Sequence, residues 1–321
     1  MTSEPTTVVA RSQKKSGGLL KDISNNKASY LLALPALAYV FIFQYLTYPY
    51  IAIAFQKFSY RTGLSFWNNQ WIGLKNFEFF FKSIYFSRVT WNTVKFSFLF
   101  IIFGTFVALI CSLLLNEVRQ RWFAKTAQSI YLFPHFLSWV VVSYIVFSLF
   151  GTEFGLVNTT LQALGMEPIS WYSMPAAWTW IIVAMRVWKS TGIITIIFLA
   201  AITGIDEQLY EAATVDGATR WQKIKSITIP LLMPTVAILT LLEIGKMMYG
   251  DFAMMYAIIG DNGLLYSTAD IIDTYVFRAL RKIGDPSHAM AVGLYQSLVG
   301  FVLVLITNLA VRKYFREGAL F

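Results

Sequence analysis

Few side chains in this sequence can do chemistry, and their types limit what that chemistry can be. There are two histidines, His135 and His288, and one cysteine, Cys111. Cys111 lies inside an apolar run and reads as a small core hydrophobe. A disulfide within the chain is impossible, and no metal cluster is available. A membrane enzyme needs nucleophile, base or metal ligands converging at one depth, and this set does not supply them. Asp251, Asp261, Asp270, Asp273 and Asp285 lack the D-x-D-x-D-G spacing of a calcium loop and read as partner-docking or solvated groups. His135 follows Pro134 and reads as a partner for a carbonyl freed by a proline kink.

What remains is charge in apolar surroundings. Arg186 and Lys189 fall in one apolar stretch, Glu243 and Lys246 in the next, with Trp188 and Tyr249 beside them. Charges at such depth face a cavity, water or a partner. Two readings stand for each pair. Arg186 and Lys189 either snorkel from the outer end of a tilted helix or line a cavity that receives carboxylates. Glu243 and Lys246 either form a local ion pair on one helix face or line the same cavity.

The elements that must position these residues are membrane spans. Of 321 residues, 57% are hydrophobic and 13% charged, with aromatics at 17%. A soluble domain carries about 25% charged residues, so lipid is the natural solvent for this chain. Six stretches have the roughly 20 apolar residues a spanning helix needs: 30–55, 94–115, 127–150, 176–203, 230–249 and 289–311. The predicted fold is therefore all-α with six transmembrane helices. No alternating ten-residue pattern suggests a β-barrel. The net charge of +9 sits mostly beside the spans, where anionic lipid rather than nucleic acid is the partner.

Basic residues set the orientation. Segments 1–29, 116–126, 204–229 and 312–321 hold fourteen, against eight in 56–93, 151–175 and 250–288. Both termini are expected in the cytoplasm. The tail 1–29, which lacks signal-peptide features, leads into a region 30–93 holding the first span and an aromatic outer loop (Trp67, Trp71, Phe79, Phe80, Phe81), where a short interfacial helix is expected. A core at 94–311 and a tail at 312–321 complete the chain.

The segment 204–230 is the most informative. Asp206 and Glu207 suit a helix start, Gly217 lets the chain turn, and a second short stretch runs to Pro230, which opens the next span. This helix–turn–helix elbow is too short to stand alone and needs a partner surface. Glu211-Ala212-Ala213, Gly217, Ile227 and Pro230 resemble the E-A-A-x3-G-x9-I-x-L-P loop of permease subunits in binding-protein-dependent ABC importers. Ile229 replaces the usual Leu. Trp71–Phe77 resembles the maltose-type sugar permeases. Leu132–Val140 and Asp270–Arg278 resemble their branch for polysaccharides and complex oligosaccharides.

The resemblance implies a bacterial cell-membrane permease that is not an enzyme and binds no cofactor. ATP and Mg would be used by two separate ABC ATPase subunits, consistent with the absence here of a G-x4-G-K-[ST] loop. It implies a second permease subunit, a different chain in many such systems, and an external sugar-binding protein. The coupling residues it implies are Glu211, Ala212, Ala213, Asp216, Gly217, Ile227 and Pro230. The candidate translocation path is Arg186, Trp188, Lys189, Glu243, Lys246 and Tyr249, cations and rings suited to an anionic, uronic-acid-type oligomer. An ion-driven secondary transporter is the alternative. It would show inverted repeats and paired discontinuous helices, and neither is visible in the sequence.

Overall fold

The structure, a computed structural model, describes residues 23, 25–61 and 69–314. Most of the amino-terminal tail, Trp67 and residues 315–321 lie outside the described residues. The chain divides into two units, 1–52 and 53–321. The first holds α1 (Lys27–Phe43), apolar along its length, which leads into a 3-10 stretch, Tyr45–Phe55.

In the second unit a two-residue ladder pairs Gln56 with Trp71 and Lys57 with Gln70 (β1 Gln56–Lys57, β2 Gln70–Trp71). The short helix expected in this region follows as α2 (Lys75–Lys82), which buries Phe80 and leaves Phe79 and Phe81 exposed. Then come α3 (Ile84–Asn116), α4 (Arg121–Leu132), α5 (Trp139–Phe150), α6 (Leu156–Ala163), α7 (Pro175–Thr203), α8 (Glu207–Val215), α9 (Arg220–Gly245), α10 (Phe252–Ile259), α11 (Tyr266–Ala269), α12 (Ile272–Arg278) and α13 (Pro286–Tyr314). Among the described residues five helices are long and apolar enough to cross a membrane, and six if one bent pair counts as a span.

That bent pair replaces the single kinked helix expected at 127–150. Residues Arg121–Phe136 and Trp139–Phe150 meet at 100°. Pro134 has no N–H to continue the ladder, Phe133–Phe136 tightens to 3-10, and Leu137 turns extended. Ser138 then starts a new helix, its Oγ accepting the Val141 N–H at 3.3 Å. Two other spans shift. α3 begins ten residues before position 94, because nothing after Ser83 interrupts it. α9 starts at Arg220 rather than Pro230 and stops at Gly245 rather than 249. A capping box between Thr219 and Gln222 starts it early. A π-turn at Ile224–Thr228 carries the helix past Pro230, whose missing N–H costs least where the ladder is already out of step.

α3 packs along α7, and α9 packs against α13. One core gathers Phe96, Val142, Val146, Trp178, Ile182, Met254, Ile258 and Ile271. A second joins Phe80, Val89, Met248, Ile272, Tyr275 and Val292. The stretch 250–288, expected to be a polar outer loop, is instead folded into these cores as α10–α12. Several of its aspartates are accordingly structural, while Asp261 stays exposed. Asp270 is 2% exposed and meets Arg278 at 2.6 Å. Asp285 accepts the His288 N–H at 3.0 Å, and Asp261 pairs with Lys282 at 2.7 Å. His288 is buried and shares a 2.8 Å hydrogen bond with the Tyr275 hydroxyl.

Candidate functional site

The elbow is built as its residues dictate. Asp206 caps α8, its Oδ1 accepting the Gln208 N–H at 3.0 Å. α8 closes in a Schellman arrangement, with Ala218 N–H donating to the Ala213 carbonyl and Gly217 N–H to that of Thr214. Gly217 holds φ +77°, the left-handed region that glycine enters without a Cβ penalty. Glu211, Ala212, Asp216 and Gly217 are exposed, and Ala213 is half-buried. Leu209, Val215 and Trp221 add exposed apolar surface around them. Ile227 and Pro230 lie beyond the turn, in and just after the π-turn of α9, rather than at the start of a separate span.

Two contacts tie α8 to the start of α9, and a third links that start to the residue after α3. The Tyr210 hydroxyl meets Thr228 Oγ1 at 2.9 Å, Lys223 donates to Thr214 Oγ1 at 2.8 Å, and Arg220 approaches Glu117 at 4.0 Å. Thr228 is buried within the π-turn, so a displacement of α8 reaches the irregular turn of α9 directly.

The intramembrane charges converge on a different place. A cavity of about 400 Å³ is lined by Ser97, Phe100, Arg186, Glu243, Lys246, Tyr249 and Asp251, among others. A second of about 200 Å³ adds His135, Lys189 and Ser190, and shares Phe100, Ile101, Arg186 and Glu243 with the first. Five of the six candidate path residues thus line these two adjoining cavities. Trp188 lines neither cavity.

Arg186 lies eleven residues into the 29-residue α7, about 17 Å along its axis at 1.5 Å per residue. Its Nη1 approaches Asp251 Oδ2 at 3.5 Å, and its guanidinium lies 5.8 Å from the centre of the Phe100 ring. Lys189 lies 5.2 Å from the Trp139 ring centre and donates at 2.8 Å to the His135 carbonyl. It is therefore the backbone of His135, freed by the bend, that finds a partner, and not its ring that supplies one. Gly192, one turn further, lets α7 press against the backbone of Tyr131 and Leu132.

No ion pair joins Glu243 and Lys246 among the described residues, because α9 ends between them. Lys246–Gly250 is an irregular turn held from several sides. Ser97 Oγ donates to the Met247 carbonyl at 2.8 Å, Gln296 to that of Met248 at 2.7 Å, and the Gly250 N–H to Asp273 Oδ2 at 2.8 Å. The Tyr249 hydroxyl donates to Ser297 Oγ at 2.9 Å. Burial pushes the Asp273 carboxyl above the ordinary carboxylate range, opposed by the hydrogen bonds from Gln296 and Gly250. Sequence reasoning missed Asp251, Asp273 and Gln296. The available signal was Gly250-Asp251 directly after an apolar run, a break followed by a helix cap.

Residues 100–316 match the family described as binding-protein-dependent transport system inner membrane component. The protein LplB of Bacillus subtilis is 37% identical over 296 residues, covering 92% of each chain. YteP of the same organism, named a polygalacturonan/rhamnogalacturonan transport system permease protein, is 36% identical over 97% of this chain and 95% of its own. A chain in the crystal structure of a bacterial ABC transporter that imports the acidic polysaccharide alginate has 32% identity and a TM-score of 0.83, covering 92% of this chain and 99% of that one. The ion-driven alternative falls with these matches, and so does an enzymatic role. The chain belongs to the family of binding-protein-dependent transport system inner membrane components, as a multi-pass permease subunit of an ABC importer.

Proposed function

We propose that this permease carries acidic oligosaccharides, that 204–230 seats on a cytoplasmic ATPase, and that both termini lie on that side. The observation that carries the substrate reading is the pair of adjoining cavities with Arg186, Lys189 and Lys246 on their walls. Cations placed among membrane spans are costly in lipid and persist where they face a water-filled path or an anion. The names of YteP and of the alginate transporter, both concerned with acidic polymers, point the same way.

In this reading the exposed elbow residues Glu211, Ala212, Asp216 and Gly217 form the contact with one of two ABC ATPases. Closure of the ATPases on ATP moves α8. The Tyr210–Thr228 bond passes that movement to α9, whose far end forms the cavity wall. A second permease subunit completes the path, and an external sugar-binding protein delivers the oligomer. This chain's share is positional and electrostatic, with no bond made or broken on it.

The test is ATPase activity and uptake of the reconstituted complex in lipid, with binding protein loaded with oligogalacturonate, alginate oligomer or neutral maltooligosaccharide. The expected result is stimulation by an acidic oligomer, lost with Gly217→Pro and reduced with Arg186→Gln and Lys189→Gln together. Equal stimulation by neutral sugar, unchanged by the cavity pair, overturns the substrate reading. Full stimulation in the Gly217→Pro complex overturns the role of the elbow.

A further inference from the structure

We propose that Asp251 is a built-in competitor for the substrate carboxylate on Arg186, and so sets both acid selectivity and release. This rests on the reading of the cavity as a path for acidic sugars.

The contact between the two residues is incomplete in a specific way. A charge-assisted N–H···O⁻ bond runs about 2.7–2.9 Å, whereas Arg186 Nη1 stands 3.5 Å from Asp251 Oδ2. The side chains keep 30% and 23% of their exposure, so the pair faces open space rather than a sealed core. Asp251 is held back by its other oxygen. Oδ1 accepts the Met254 N–H at 3.0 Å and caps α10. Its neighbour Gly250 is pinned by Asp273, and a Cβ there would lie 2.3 Å from Ile271 Cδ1. The carboxylate is close enough to neutralise Arg186 and is kept from closing on it.

A guanidinium carries five N–H donors in a planar fork. Asp251 takes one, at long range, and leaves the paired face open to the cavity. An incoming carboxylate can take that face bidentately, with Phe100 behind the guanidinium. The cavity volume of about 400 Å³ lies within the roughly 300–1,000 Å³ of small-molecule sites. A neutral sugar meets a cation already compensated by Asp251 and gains no charge attraction from it. An acidic one gains the fork, but now holds its carboxylate beside that of Asp251. The like-charge contact weakens the hold and speeds departure, as conduction through any binding site requires.

The experiment uses the complete reconstituted importer with Asp251→Asn and Asp251→Ser. Both residues can cap a helix, so α10 keeps its start while the charge is lost. Equilibrium binding of an oligogalacturonate to the purified complex is measured beside its maximal uptake rate, with a neutral oligosaccharide of equal length as control. In both variants acidic binding is expected to tighten about fivefold, the scale of one partly solvated charge pair, and maximal uptake to fall. The neutral sugar is expected to be unmoved. Unchanged acidic binding, or equal shifts for both sugars, overturns the proposal and leaves Asp251 as a cap alone. Arg186→Gln separates the two levels of the argument. If it abolishes acidic uptake while the Asp251 variants do nothing, the competitor role alone fails; if it too does nothing, the cavity reading fails with it.

Discussion

Replacing Gly192 with alanine tests the packing that makes the bent span possible. In an isolated helix Gly→Ala stabilises by about 1 kcal/mol, so a helix without close neighbours should gain from the change. Gly192 has neighbours it cannot push aside. A Cβ would lie 2.0 Å from the Tyr131 carbonyl oxygen, 2.5 Å from its carbon and 2.9 Å from Leu132 Cα. All three are backbone atoms, so rotamer change offers no relief. Restoring ordinary contact moves α4 from α7 by roughly 1.4 Å, and overpacking of this kind costs about 1–3 kcal/mol. The same shift stretches the 2.8 Å bond from Lys189 to the His135 carbonyl and uncovers a backbone acceptor in an apolar setting. The assay is thermal unfolding in lipid nanodiscs, with uptake measured in parallel. Gly104→Ala serves as control, since a Cβ there meets nothing within 4 Å. Gly192→Ala should lower the melting temperature and uptake while Gly104→Ala leaves both equal or improved. If both alanines stabilise alike, α7 does not press on the bend, and the account of the broken span is wrong.

Two further outcomes follow from buried carboxylates. Asp270→Asn strips the charge partner from Arg278, which stands 2.6 Å from a carboxylate only 2% exposed; unfolding should become easier by about 3–5 kcal/mol, read by chemical denaturation in mild detergent. Asp273 has its carboxyl pushed up from 3.8 by burial. The stability it contributes is fully present below that unfolded value and is lost as pH rises through the folded one. Melting curves between pH 4 and 8 should therefore show Asp273→Asn gaining on the unmodified protein as pH rises, and parallel curves would refute it.

The sequence was most legible where a local rule decides the structure. Gly217 demands a turn because the left-handed conformation there suits only a residue without a side chain, and Asp206 announces a helix start through its own hydrogen bond. The apolar run at 176–203 is long and unbroken, and α7 follows it almost to the residue. Periodicity misled where a long-range contact decides. Hydropathy sees Pro134 as one residue in an apolar run, while the 100° bend it permits is fixed by Lys189 and Gly192 from another helix. The aspartates of 250–288 look soluble because composition cannot show that Asp270 will find Arg278. Pro230 reads as a helix start by rule, yet an upstream π-turn let a longer helix absorb it.

The misread segments share a physical cause that also marks the proposed path. Each interruption frees backbone groups, and in lipid these groups must be satisfied within the protein. At the first break Lys189 takes the His135 carbonyl. At the second, Ser97, Gln296 and Asp273 take the Met247 carbonyl, the Met248 carbonyl and the Gly250 N–H. The side chains that repair the backbone come from α3, α7, α12 and α13, so each break is tied to elements far from it in sequence. The two breaks also border two cavities that share Arg186 and Glu243, with His135 on the wall of one and Lys246, Tyr249 and Gly250 on that of the other. A straight helix presents only side chains to its surroundings. A broken one lets polar backbone and its capping charges approach a hydrated space, at a cost tolerated only where that space exists. Lys189 therefore serves twice, as the cap of a freed carbonyl and as a cation of the cavity wall. Lys189→Met, which keeps the length and loses the charge, should harm folding and acidic-substrate uptake together, whereas Arg186→Gln should harm uptake with far less effect on the melting temperature.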